Sequence, residues 1–225
     1  MNRKIIISPS IMCCTPAEME PFLRRFEECG IDTIHFDIMD GHYVPNVMLG
    51  VRDYQFIKRT TNLPVDVHMM CTEPEMFLEY FKPQPGDWVS FHPETARNPY
   101  RLLQAIRDRG CKAGIALSPA VPVAYVEEMA SVLDFVLVMA VNPGFAGQKM
   151  VPDHLDKLRR IHEAVVRTGR DIDIIIDGNT IVENARAMIA AGATGLVVGT
   201  SSLLKGGPDR FAENYRTYTA AIAEE

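Results

Sequence analysis

Eight short apolar runs, each followed by an amphipathic stretch, recur from one end of this chain to the other. The runs cover 5–8, 33–38, 65–69, 88–91, 113–117, 135–139, 172–176 and 195–198; they are rich in β-branched residues and too short to be helices. Helical periodicity fills roughly 16–29, 51–59, 74–81, 99–109, 122–131, 152–168, 181–191 and 208–223. Several starts carry helix-initiating chemistry: Thr15 before Pro16, Glu73 before Pro74, Asn98 before Pro99, and Pro152 with Asp153. Strands that are apolar on both faces demand burial on both faces, which is the signature of a parallel sheet wrapped in helices. Eight such alternations in 225 residues predict one α/β domain, a (β/α)8 barrel spanning 1–225. The competing doubly wound sheet lacks support, because there is no early GxGxxG, no long linker and no shift in composition.

Composition narrows the partners. A net charge of −6, from 23 basic and 29 acidic residues, argues against nucleic acid or an anionic membrane as a partner. A small anionic ligand is still compatible, because backbone amides at helix starts bind anions without altering net charge. No apolar run approaches the ~18 residues of a membrane span, and the apolar stretch within MNRKIIISPS is too short for a signal peptide. The expected compartment is the cytoplasm. The five cysteines are odd in number and lack CxxC spacing, so neither a disulfide framework nor a thiolate zinc site is expected.

Polar residues interrupt this pattern at one end of the strands. His35 and Asp37 lie in TIHFDIMDGHYVPN, His68 in VDVHMM and Asp177 in DIIIDGN. An unpaired polar group in a core costs several kcal/mol, about 2–7 by transfer measurements. Because strand side chains alternate, His35 and Asp37 share a face and Ile34, Phe36 and Ile38 take the other. The polar pair is therefore expected to face the barrel axis, at the end where barrels place active sites. Two imidazoles and two carboxylates suit one divalent ion: zinc, manganese, cobalt, iron or magnesium. Asp37 and Asp177 come from the second and seventh strands, so they can flank a bound molecule. A pair of carboxylates so placed can remove a proton from a carbon beside a carbonyl and return one to the opposite face.

Three late glycine-rich loops form a second constellation. VNPGFAGQ, DGN and VVGTSS follow the last three strands, where barrels that bind phosphorylated ligands build their phosphate cup. Gly144, Phe145, Ala146, Gly147, Gly178, Asn179, Gly199, Thr200 and Ser201 are the candidate contacts, joined by Ser10 and His68 nearer the reacting carbon. Met39, Met70 and Met139 each close a strand at the same end and could shield an enediolate from water. His42, His92 and Glu94 are further candidates for contacts to substrate or to the metal ligands.

SPSIM, HFDIMDGHYVPN, VDVHMM, VNPGFAGQ, IIIDGN and VVGTS, in this order and spacing, resemble the ribulose-phosphate 3-epimerase family over essentially the whole chain. The resemblance implies a TIM barrel of the ribulose-phosphate-binding type. It also implies a metal held by His35, Asp37, His68 and Asp177, with Asp37 and Asp177 as the acid/base pair for inversion at C3 of a ketose phosphate. A homo-oligomer, dimer or hexamer, is implied in the same way. SIMCCTP, FAGQ, DGN, HPET and GTSSLL depart from the pentose-phosphate pattern and are similar to the branch that interconverts D-allulose 6-phosphate and D-fructose 6-phosphate. The D-ribulose 5-phosphate reaction is the alternative, and a non-catalytic sugar-phosphate binder a third reading. Related lyase barrels usually carry an active-site lysine, and the strand ends here offer none.

Overall fold

A computed structural model describes residues 4–223. Its strands are β1 (Ile6–Pro9), β2 (Ile34–Asp40), β3 (Val47–Met48), β4 (Val65–Met70), β5 (Trp88–Phe91), β6 (Lys112–Leu117), β7 (Phe135–Met139), β8 (Asp173–Asp177) and β9 (Gly195–Val198). The helices are α1 (Met19–Cys29), α2 (Val51–Thr60), α3 (Pro74–Phe81), α4 (Pro99–Asp108), α5 (Ala124–Met129), α6 (His154–Thr168), α7 (Val182–Ala190) and α8 (Pro208–Ala223). The strand order is β1-β9-β8-β7-β6-β5-β4-β2-β3. Every pairing is parallel except β2 with β3. A bridge between Ser10 and His35 joins the end of β1 to β2 and closes the ring. The expected barrel is present.

Alternation along the strands divides the core into two. Ile34, Phe36 and Ile38 pack outward into the layer between strands and helices, with Leu23, Phe26, Ile57 and Leu103 among their neighbours in that layer. The barrel interior is filled by Trp88, Ala116, Phe135, Leu137, Met139, Ile175 and Val197. Gly114 makes room for this filling, because a Cβ there would lie 2.5 Å from the Phe135 ring. Gly114→Ala is therefore expected to cost about 1–3 kcal/mol by overpacking. A lower urea midpoint with an unchanged slope would show it, and an unshifted midpoint would mean that the ring moves freely.

Three local features differ from the sequence reading. The first helix starts at Met19, because Pro16 opens a turn instead. The Thr15 amide and hydroxyl both donate to Glu18 Oε2, at 3.0 and 2.6 Å, closing that turn before the helix begins. Ile11–Cys13 forms a 3-10 turn. β3 is an added two-residue strand that pairs Met48 with Met39 and Val47 with Asp40; two residues carry no periodicity from which it could be read. The start of α4 is as expected, with the Asn98 side chain accepting from the Arg101 amide at 3.1 Å.

Candidate active site and metal centre

The carboxyl ends of β2, β4 and β8 bring the four polar residues together. Register sets Asp37 beside His68 on neighbouring strands, whereas Asp177 comes from β8, which pairs with neither β2 nor β4. Asp37 Oδ1 lies 3.1 Å from His35 Nε2 and 3.2 Å from His68 Nδ1. Asp177 Oδ2 lies 3.8 Å from each of the same two nitrogens. One ligand atom from each residue falls within 4.8 Å of all the others. Ligands about 2.0–2.2 Å from a tetrahedral ion stand roughly 3.3–3.5 Å apart, so these separations fit a divalent cation. Both imidazoles are fully buried, whereas the Asp177 side chain keeps 19% exposure toward the cavity.

Two of the four residues are oriented from behind. His35 Nδ1 lies 2.7 Å from Asp66 Oδ2, which turns its Nε2 toward the cluster. Ser10 donates its hydroxyl to Asp37 Oδ2 at 2.8 Å, leaving Oδ1 to the imidazoles. Burial alone would push the carboxyls up. For Asp37 the charge of His35 and the close contacts to both imidazoles outweigh burial and hold it far below the usual carboxylate range. Burial keeps Asp177 raised, with the Asp37 charge adding to it. His35 shows the complement: burial disfavours its charge, and Asp37 and Asp66 overcome that and raise it well above an ordinary histidine. One cluster thus drives two carboxyls in opposite directions.

A cavity opens directly above this cluster. Asp37 and Asp177 form part of its floor, and Met39, Met70 and Met139 line its walls. Its far side is built by the 141–148 loop, by Gly178 and Asn179, and by Gly199, Thr200 and Ser201. All of the glycine-rich loops thus converge on one space. Gln148 ties the first loop to itself, donating to the carbonyls of Asn142 at 2.6 Å and Phe145 at 2.8 Å. Gly178 has a φ of +104, and a Cβ there would come within 2.6 Å of Val141, so only glycine fits where these two loops meet. Ser202 and Leu204 amides return to the Gly199 carbonyl, at 3.1 and 3.2 Å.

Some residues sit differently from the sequence expectation. His68 is fully buried beneath the cavity and is not among the residues lining it. Asn179 lines the cavity. Its side-chain oxygen accepts from the Met150 amide at 3.2 Å and from Asn184 at 2.7 Å, bracing two loops together. Met12, Cys13, Asn142 and Thr180 also line the cavity. Met12 and Cys13 come from the short turn after β1, within the SIMCCTP segment. His42 turns back onto Asp40, its Nδ1 lying 2.9 Å from the Asp40 carbonyl, and is exposed. His92 packs against His68, which is one of the two kinds of contact the sequence allows for it, with 3.0 Å between their Nε2 atoms.

Comparison with known proteins places this geometry. The model of the ribulose-phosphate 3 epimerase family matches residues 6–203. A ribulose-phosphate 3-epimerase 1 of Cupriavidus necator is 39% identical over 212 residues, covering 92% of this chain and 87% of that protein. The ribulose-phosphate 3-epimerase of Escherichia coli K12 is 33% identical over 99% of this chain and all of its own length. Among solved structures, a mutant tryptophan synthase α-subunit of Pyrococcus furiosus superposes with a TM-score of 0.64 at 14% identity, over 99% of this chain and 98% of that one. A thiamine phosphate pyrophosphorylase of the same organism gives 0.62 at 15% identity, over 98% of this chain and 97% of that one. These two likenesses concern the fold. Among the described residues, no helix is long and apolar enough to cross a membrane.

Proposed function

Because the chain belongs to the ribulose-phosphate 3-epimerase family, we propose that it is a metal-dependent ketose-phosphate 3-epimerase interconverting D-allulose 6-phosphate and D-fructose 6-phosphate. The observation that carries the chemistry is the meeting of His35, Asp37, His68 and Asp177 under a cavity whose opposite wall is made of glycine-rich loops. In this reading those four residues hold the ion, and Asp37 and Asp177 also move the proton. A divalent ion bound there supplies positive charge beside the negative charge that develops on the substrate oxygens.

The proton steps fall to the chain's own carboxylates. Ionised Asp37 takes the C3 proton from one face of the sugar, giving an enediolate, and protonated Asp177 delivers a proton to C3 from the other face. The reverse reaction exchanges their roles. Ser10, already bonded to Asp37, is placed to release that bond to a substrate hydroxyl. Met39, Met70 and Met139 surround the reacting carbon with side chains that exclude water and offer no proton. Gly144–Gly147 and Gly199–Ser201 receive the phosphate through backbone amides, with Gly178 and Asn179 beside them. The chain works in this reading as one barrel domain in the cytoplasm, as a dimer or hexamer.

The six-carbon substrate rests on the variant residues around the phosphate loops, Cys13, Ala146 and Asn179, and on HPET at 92–95. A specific observation favours a second reading: the relatives at 33 to 39% identity carry the name ribulose-phosphate 3-epimerase, which supports D-ribulose 5-phosphate. Steady-state kinetics with both sugar phosphates decides between them. A higher kcat/KM for D-allulose 6-phosphate is expected; preference for the pentose would transfer the assignment, and binding without turnover of either would make the chain a sugar-phosphate binder.

A further inference from the structure

A row of polar side chains behind His68 has no part in the proton steps. His92 is fully buried, and its Nε2 faces His68 Nε2 at 3.0 Å. Its other nitrogen, Nδ1, lies 3.1 Å from Ser118 Oγ. Ser118 Oγ lies 2.8 Å from the Tyr43 hydroxyl, which reaches Glu94 Oε1 at 2.7 Å. The Glu94 side chain is 30% exposed. Links of ordinary hydrogen-bond length thus run without a break from a buried imidazole of the metal centre to a carboxylate at the surface.

The chemistry at the two ends fixes the direction of every link. His68 turns Nδ1 toward Asp37 and Asp177, so Nδ1 must present a lone pair to bind a cation. A neutral imidazole then carries its proton on Nε2, which can only donate. His92 Nε2 accepts that proton's bond, which leaves the His92 proton on Nδ1, facing Ser118. Ser118 accepts and passes its own hydrogen to the Tyr43 oxygen, and Tyr43 donates to Glu94. A carboxylate only accepts, so the far end requires the direction that the near end imposes. Reversing the row would need a protonated Glu94 and would place the His68 proton on Nδ1, among the ligand atoms.

We infer that His92, Ser118, Tyr43 and Glu94 act as a positioning relay, in which a surface carboxylate sets the tautomer of a buried metal ligand and aims its Nδ1 lone pair at the cation. The inference rests on the metal-centre reading above. His35 reaches the same end in one step, through Asp66, using the opposite nitrogen. The relay is also anchored. The Tyr43 ring lies on His92 at 4.6 Å between centroids. Lys157 donates to the carbonyls of Ser118, Pro119 and Val121, at 2.5, 3.1 and 2.7 Å, fixing the segment that carries the Ser118 hydroxyl.

The test measures zinc affinity by competition with a chromophoric chelator, together with the nitrogen shifts of histidine-labelled protein. His92→Phe keeps a ring in place but removes the acceptor, and should weaken zinc binding by about 10-fold or more, the scale on which such outer partners act. Tyr43→Phe and Glu94→Ala, nearer the surface and safer for folding, should weaken it by smaller factors in that order of distance, and His92→Gln, which restores an acceptor, should recover part of the loss. At saturating zinc the variants should regain turnover, which a collapsed site would not. In zinc-loaded wild type the His68 proton should sit on Nε2. A wild-type proton on Nδ1, or unchanged zinc affinity in all of the relay variants, would overturn the relay while leaving the metal centre intact. Absence of divalent-ion binding by the wild type would instead overturn the metal-centre reading itself.

Discussion

Metal-loaded Asp177→Asn should lose epimerisation by about 10³-fold or more, since it removes a general acid/base group whose contribution is typically 10²–10⁴-fold, yet one half of the chemistry should survive. The amide can still offer an oxygen to a cation but cannot deliver a proton. Asp37 remains and can still take a C3 proton and return one to the same face. The variant should therefore exchange the C3 hydrogen of one epimer with solvent without inverting it, and Asp37→Asn should do the same for the other epimer. NMR of each epimer incubated in D2O with each variant separates the two cases. Inversion at an undiminished rate by Asp177→Asn would remove that residue from proton transfer.

Stripping divalent ions is the second large perturbation. The cluster packs two carboxylates between two buried imidazoles, and in the proposed reaction a bound cation would neutralise their charge. Chelation should abolish turnover and lower thermal stability by roughly 10 °C, as expected for loss of a ligand present at about 1,000 times its Kd. Return of zinc, manganese, cobalt, iron or magnesium should restore both, and the rank order of the ions would identify the one the site prefers. Full turnover by protein shown to be free of metal would contradict the role assigned to the four ligands.

The sequence was most informative where a residue broke its local pattern. Polar side chains inside apolar strands stand out, and strand alternation alone assigns His35 and Asp37 to the inner face opposite Ile34, Phe36 and Ile38. The structure places them there. The glycine-rich loops were legible for a related reason, because positions that tolerate only a backbone, such as Gly178 against Val141, leave a compositional trace. What could not be read was contact between distant segments. Asp66 lies two residues before His68, yet its carboxylate binds His35 on the neighbouring strand. Tyr43 and Ser118 are 75 residues apart and meet only because two loops fold over the same barrel mouth. No periodicity records such a meeting. The start of α1 was misjudged because Pro16 is equally at home in a turn and in a first helical turn, and the bond from Thr15 to Glu18 chose the turn.

The central claim is that two carboxylates in the floor of one cavity invert C3 by removing and replacing its hydrogen. Turnover of D-allulose 6-phosphate, and separately of D-ribulose 5-phosphate, by metal-loaded protein in D2O tests it most directly. The account predicts that the epimeric product of the accepted substrate carries deuterium at C3 and at no other carbon from the first turnovers onward. Product with undiluted hydrogen at C3, or no exchange with either sugar phosphate, would contradict it.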